Sequence, residues 1–409
     1  TFKVRASYGS LGNQNTSSLY PTYSTIGTGT GSWIIDGTLA NIAWAPSLVS
    51  YNLSWEKIRT WNAGVDFGLF NNRLTGSFDY YIRKTDDMVG PSEKLPVVLG
   101  TAVPSSNNTN LKTFGWELEL MWKDRLNNGL NYSARFTLAD SRTKITRYSN
   151  PSGLIDGFYA GKYVGEIWGY ETIGIAQSDQ EMAEHIGRLI NGGQSNLGQD
   201  WKAGDIMYKD LNEDGKIDAG SRTLQDHGDL KRIGNSTPRY NVGLELAADW
   251  KGFDIRMFWQ GTLKRDYFQG SYYFWGANGR QGPWFSTALK GHDDYFRNDE
   301  ASPLGTNLNS YYPRPLFNTD KNQQSQTKYL QDASYLRLKN LQIGYSLPHN
   351  IVQKMGMQHL RIFASGENLF TITSLIDFFD PESIEGGSWG HGNVYPLSRT
   401  FSFGLNVTF

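Results

Sequence analysis

Residues Arg399 to Phe409 read RTFSFGLNVTF, and their alternation is strict. Phe401, Phe403, Leu405, Val407 and Phe409 share one parity, while Ser402, Gly404, Asn406 and Thr408 share the other. Successive side chains of a strand point to opposite faces, so this stretch predicts a ribbon with one greasy flank and one small, polar flank. A last strand ending on an aromatic residue, with no turn after it, fits the closing strand of a membrane barrel.

The same dyad recurs upstream. Trp61, Ala63, Val65, Phe67 and Leu69 oppose Asn62, Gly64, Asp66 and Gly68; Leu74, Phe78, Tyr80 and Ile82 oppose Thr75, Ser77, Asp79 and Arg83. Trp116, Leu118, Leu120 and Trp122 repeat it, then Leu130, Tyr132, Ala134, Phe136 and Leu138. Tyr240, Val242, Leu244 and Leu246 pair across a turn with Phe253, Ile255, Met257 and Trp259, and spans near 334–347, 358–369 and 399–409 finish the chain. About ten strands result, each close to the length that crosses a bilayer when tilted. One span breaks parity: Leu336 and Leu338 are even, whereas Leu341, Ile343, Tyr345 and Leu347 are odd. A β-bulge near Lys339-Asn340 restores a single apolar face.

Connections alternate in length. Those at 71–72, 126–129 and 249–252 are minimal, and Asn71-Asn72 tolerates the left-handed backbone of a tight hairpin. The spans 10–56, 87–112, 142–237 and 265–333 are long. Short periplasmic turns and long external loops are the outer-membrane barrel arrangement. The 348–358 connection reads as one or two helical turns. Ser178 and Glu181 have capping-box spacing, and Met182, Ile186, Leu189 and Ile190 follow at helical intervals, so 178–191 reads as a short helix inside the largest loop.

Composition agrees. Thirteen Trp, 23 Tyr and 21 Phe weigh heavily in a 409-residue chain only 38% hydrophobic, and barrels use such residues as interfacial girdles. Mean hydropathy is −0.51 and no apolar run reaches the length of a membrane helix. A net charge of −1 gives no footprint for nucleic acid. The absence of cysteine removes disulfide scaffolds, thiolate metal sites and a cysteine nucleophile. No signal peptide opens the sequence, so a mature product or a piece of a larger chain is expected.

The sharpest local motif is Asp210-Leu-Asn212-Glu-Asp214-Gly215-Lys216-Ile217-Asp218. Oxygen side chains stand at positions one, three, five and nine, Gly at six, and the Lys216 carbonyl at seven, as in an EF-hand-like calcium loop. Position twelve is Ser221 instead of the bidentate Glu, which makes a structural staple the expectation; a metal-free Asx/Gly turn is the alternative. The six histidines have no close ligand spacing, the Gly27–Ser32 run (GTGTGS) lacks a P-loop lysine and reads as a flexible loop, and no GxSxG elbow occurs, so no catalytic residue is assigned. Aromatics crowd the loops. Tyr273, Trp275, Trp284 and Trp389 are candidate substrate contacts for carbohydrate or peptide, with rim girdle and loop packing as the alternative for each.

Several ordered blocks together resemble the SusC/RagA group of TonB-dependent outer-membrane transporters: GSFDYYIRKTDDM (76–88), GDIMYKDLNEDGKID (204–218), STPRYNVGLELAADWKGFDIRMFWQG (236–261), ASYLRLKNLQIGYSLP (333–348), LRIFASGENLFTIT (360–373) and YPLSRTFSFGLNVTF (395–409). The resemblance implies an all-β, antiparallel up-and-down transmembrane barrel of about 22 strands around a plugged lumen. It also implies a SusD/RagB-like surface lipoprotein as lid, energy through TonB-ExbB-ExbD, and active import of glycan or peptide oligomers, with no enzymatic step. About ten strands are found, with no plug and no TonB box. Residues 1–409 are therefore expected to be the carboxy-terminal part of the barrel, partnered by an amino-terminal barrel and plug portion and by outer-membrane lipid, with 142–237 a large external loop holding the calcium-like site. The alternatives are a self-contained porin-like or hydrolase barrel and a soluble secreted glycan-binding β-protein.

Overall fold

The computed structural model describes residues 1–14, 22–46, 48–90, 98, 103–277, 279, 286, 288–386 and 390–409. Ten strands form one antiparallel sheet in strict chain order. They are β1 (Phe2–Asn13), β2 (Glu56–Leu69), β3 (Leu74–Met88), β4 (Thr109–Arg125), β5 (Asn131–Arg147), β6 (Arg239–Trp250), β7 (Phe253–Lys264), β8 (Tyr335–Ser346), β9 (His359–Thr373) and β10 (Thr400–Thr408). Among the described residues β1 and β10 do not pair with each other, so the sheet is an open wall and not a self-contained ten-stranded cylinder.

Directly paired residues share a face, so the register reads out both sides of the wall. One row runs Val4, Val65, Phe78, Leu118, Leu138, Val242 and Gly261 to Leu336. The apolar face ends on Phe401, Phe403 and Leu405, which are 69%, 85% and 65% exposed. Leaving such side chains in water forgoes roughly 1.5–3 kcal/mol each, which a hydrocarbon surround restores. The opposite face is polar and knitted by ion pairs. Arg5 forks between Asp66 and Asp79 at 2.7–3.0 Å, and Arg361 grips Asp254 through two bonds of 2.6 and 2.8 Å.

The tight turns form as their residues dictate. Asn71 and Asn72 take φ of 57° and 62°, and Lys251 and Gly252 take 50° and 90°. The expected bulge is present: the register slips between Leu338 and Asn340 against β9 and between Phe258 and Trp259 against β7. Lys339 is the extra residue, and the even and odd apolar residues of β8 thereby share one face. The 347–358 connection holds a helical turn at His349–Val352 and a 3₁₀ turn at Gln353–Met355.

One expectation is corrected. The Gly27–Ser32 run is not a loop: Thr28–Ile35 pairs with Thr38–Ala43 in a hairpin. A Cβ on Gly29 would meet the Trp44 ring at 2.8 Å, so the glycines admit an indole packed flat on the strand. In the largest connection, α1 (Asp179–Gly187) forms as its cap predicts. Ser178 Oγ accepts the Glu181 N–H at 3.1 Å, and the Glu181 carboxylate accepts the Gln177 N–H at 2.7 Å.

Candidate functional site

At one end of the wall the long connections fold onto one another and build a core of their own. Ile206, Tyr208, Ile217, Phe274, Tyr329 and Ile384 have no exposed surface, and they come from three separate loops. Trp275 meets Tyr329 edge-on at 4.6 Å between ring centroids, and Tyr311 meets Tyr312 at 4.8 Å. Such pairs add about 0.5–1.5 kcal/mol each beyond the area they bury. The Tyr208 hydroxyl donates to the Lys321 carbonyl at 2.7 Å, and burial pushes its phenol pKa far up, so it acts as a fixed donor.

A buried charge cluster locks two of these loops together. Asp205 has no exposed surface; Arg314 donates to its two oxygens at 2.7 and 2.8 Å, Lys321 Nζ lies at 2.9 Å and Asn322 Nδ2 at 2.9 Å. Burial pushes the Asp205 carboxyl up, but the donors from Arg314, Asn322 and Lys321 outweigh it and hold the pKa below the ordinary value. Burial pushes the Lys321 ammonium the other way, downward, although Asp205 opposes this. We regard the cluster as ionised, because Lys321 Nζ also donates to the carbonyls of Gln199 at 2.7 Å and Asp200 at 2.9 Å.

Next along the chain, the acidic loop turns on itself. Asp210 Oδ2 accepts the Gly215 N–H at 2.8 Å, Asn212 Oδ1 that of Asp214 at 3.2 Å, and Asp218 Oδ1 that of Gly220 at 2.8 Å. Asp229, absent from the motif, closes the loop from behind, accepting Leu211 N–H at 2.7 Å and Asp218 N–H at 2.9 Å. Burial raises its pKa, and the nearby Asp210 charge adds to the rise. The Lys216 ammonium sits 2.7 Å from Asp218 and 3.8 Å from Asp214. Among the described residues no three carboxylates or imidazoles converge as a finished metal cage. Even so, Asp210 Oδ1 is buried without any hydrogen-bond partner, which is the environment a hard cation satisfies.

The aromatic candidates divide. Trp275 is only 6% exposed and belongs to the loop core, with just its rim on a cavity of about 400 Å³ shared with Tyr295, Tyr312 and Phe317. It is a packing residue first, because Phe274, Tyr312 and Tyr329 pack against its ring. Tyr273 is half-buried and its ring lies tilted against Tyr272, 4.4 Å between centroids. Trp284 and Trp389 lie outside the described residues. A second cleft, about 930 Å³, joins Tyr311, Leu375 and Phe378 with Lys290, Asp294, Asp377 and Gln331. Sequence reading missed it because its walls come from segments far apart in the chain.

Comparison with known proteins settles the family. Residues 1–369 match the family described as TonB dependent receptor-like, beta-barrel. The chain belongs to this family. As a TonB-dependent receptor barrel it is an outer-membrane protein, and the alternative of a soluble secreted protein falls away. It is 29% identical to TonB-dependent receptor P3 of Formosa agariphila over its full length, covering 39% of that protein. It is also 27% identical to TonB-dependent receptor SusC of Bacteroides thetaiotaomicron, over 89% of this chain and 33% of that protein. In fold it is similar to the RagAB peptide transporter, with a TM-score of 0.71 and 22% identity, covering 100% of this chain and 41% of that one. The chain thus spans between about a third and two fifths of the length of these relatives.

Proposed function

We propose that this chain is the carboxy-terminal part of the barrel of an active importer of nutrient oligomers, glycan or peptide. In this reading the short turns face the periplasm and the loop layer faces the exterior, where it meets a SusD/RagB-like lipoprotein lid. An amino-terminal barrel and plug portion completes the cylinder and receives energy through TonB-ExbB-ExbD. The observation that carries the reading is the loop layer itself. It is a pre-formed scaffold with its own core and charge lock, presenting an aromatic cleft beside Lys290, Asp294, Asp377 and Gln331. Flat rings take up sugar or side-chain faces, and the polar groups orient the oligomer; binding and release suffice, with no bond made or broken.

A calcium ion as structural staple belongs to the same proposal. Asp210, Asn212, Asp214, the Lys216 carbonyl and Asp218 would hold it, with Lys216 Nζ swinging out to solvent. The ion would supply charge compensation and rigidity to the loop.

The test is uptake of labelled glycan and peptide oligomers by cells carrying the full-length protein. Uptake of one class is expected, lost on collapse of the proton-motive force and reduced about tenfold or more by Phe378→Ala with Tyr311→Ala. Undiminished uptake in de-energised cells would instead indicate a passive pore.

A further inference from the structure

The register places a row of cations on the lipid-facing side of the wall, at its long-loop end. Arg59 pairs directly with Lys84, Lys84 with Lys112, and Lys112 with Lys144, across four adjacent strands. The next row toward the membrane is Trp61, Ile82, Phe114 and Arg142, and the one after it Ala63, Tyr80, Trp116 and Asp140. The same face is therefore hydrocarbon-seeking and aromatic immediately below the cations. Strands lie about 4.8 Å apart, so Lys84 to Lys144 covers roughly 10 Å.

Like charges at directly opposed positions repel, and a sheet normally interleaves carboxylates. Here the carboxylates on that face are already committed. Asp86 is engaged by Arg59 and, at 3.1 Å, by Asn110; Asp140 is engaged by Arg239. Asp87 is taken by Arg147 at 3.0 Å and Lys57 at 3.9 Å. Among the described residues Lys84 and Lys112 have no ion-pair partner, and Lys144 shares the face of Tyr163 with Arg142. Three lysines with long apolar stems over an aromatic belt, with the ammonium groups of Lys84 and Lys112 not engaged by a carboxylate among the described residues and that of Lys144 over Tyr163, form a surface complementary to anions at headgroup height.

We propose that Lys84, Lys112 and Lys144, with Arg142 beside them, bind the headgroup of a membrane lipid carrying two or more phosphates, a phosphorylated glycolipid of the outer leaflet. A single phosphate engages one or two of these cations; a span of roughly 10 Å matches separated phosphates on one headgroup. The outer-leaflet assignment rests on the proposed orientation with the long loops outside.

The experiment uses the full-length protein, purified in detergent and stripped of lipid, with retained lipid counted by native mass spectrometry. The probes are a bis-phosphorylated glycolipid, its dephosphorylated form, a monophosphate phospholipid, and inorganic phosphate as competitor. Preferential retention of the bis-phosphorylated glycolipid is expected, falling about fivefold for each Lys→Gln change at 84, 112 and 144. The triple Lys→Arg variant should keep it. Heat-modifiable mobility on gels confirms that the Gln variants remain folded, and a single Lys112→Gln replaces the triple variant if that one does not assemble. Equal retention of the dephosphorylated or monophosphate lipid, retention unchanged in folded Gln variants, or displacement by millimolar inorganic phosphate would each overturn the proposal. Orientation is read separately, by labelling a cysteine at position 84 in intact cells with an impermeant maleimide. Labelling supports the outer leaflet; protection together with glycolipid-selective binding would overturn the orientation alone.

Discussion

At position 404 a hydrogen atom is all the space allows. A Cβ there would lie 2.3 Å from the ring of Phe363, which crosses the polar face between β9 and β10 with the Arg361 guanidinium 5.0 Å from its centre. Gly404→Val must push that ring aside, at a cost of about 1–3 kcal/mol. The expected result is a lower melting point for the heat-modifiable gel form of the full-length protein, largely recovered by adding Phe363→Ala. At Asp210 the question is occupancy of an orphaned buried oxygen. If calcium holds the loop, chelation should speed proteolysis between 205 and 229 in the wild type. In Asp210→Ala cleavage should be fast and indifferent to chelator. Identical cleavage of the wild type with and without chelator would remove the ion from the account.

Among the elements, β8 shows how one residue sets the face of half a strand. Lys339 is skipped by the ladder, so Leu341, Ile343 and Tyr345 stay on the side of Leu336 and Leu338. Deleting Lys339 turns either half of the strand to the wrong side. The deletion should prevent assembly of the full-length barrel, read as loss of heat-modifiable material in the membrane fraction, whereas Lys339→Ser keeps the residue count and assembles. This element was legible in the sequence because strand periodicity is local; so was α1, whose cap is four residues of chemistry. The loop core was not. Phe274, Tyr329 and Ile384 have no periodicity, and their burial depends on contacts between connections more than 50 residues apart. For the same reason the sequence left Trp275 between substrate contact and loop packing, and the fold places it in the loop core. Asp229 lies beyond the nine-residue window of the acidic motif, and only the folded loop brings it back. Asp205 stands in no motif that marks it in the sequence, yet it ties 199–205 to 314–322. Its depressed pKa means the folded state resists protonation more than the unfolded one. Its contribution is complete above about pH 4 and is lost as pH falls further, through the folded value. Proteolysis of the loop layer should therefore be flat from neutral pH to about 5 and rise only in stronger acid, while Asp205→Ala opens the layer at every pH, at a cost of about 3–5 kcal/mol for the stranded cations.

At the scale of the molecule, one polarity argument governs everything: a wall wet on one side and greasy on the other, with two free edges. The edges explain why β1 and β10 are exposed along almost their whole length; each presents an unpaired ladder that the remainder of a complete barrel would occupy. The two faces can be read directly, because the chain contains no cysteine and any introduced thiol reports alone within it. Single cysteines at 401, 402, 403, 405 and 406 in the full-length protein, in native membranes, should react with a small water-soluble maleimide in alternation: Ser402 and Asn406 positions labelled, Phe401, Phe403 and Leu405 positions protected. A hydrophobic maleimide delivered from the lipid phase should reverse the pattern. Uniform protection at all positions would place β10 inside a dry protein core, and uniform labelling would leave it outside the membrane; neither is compatible with a wall whose apolar row continues unbroken from Val4 to Leu336.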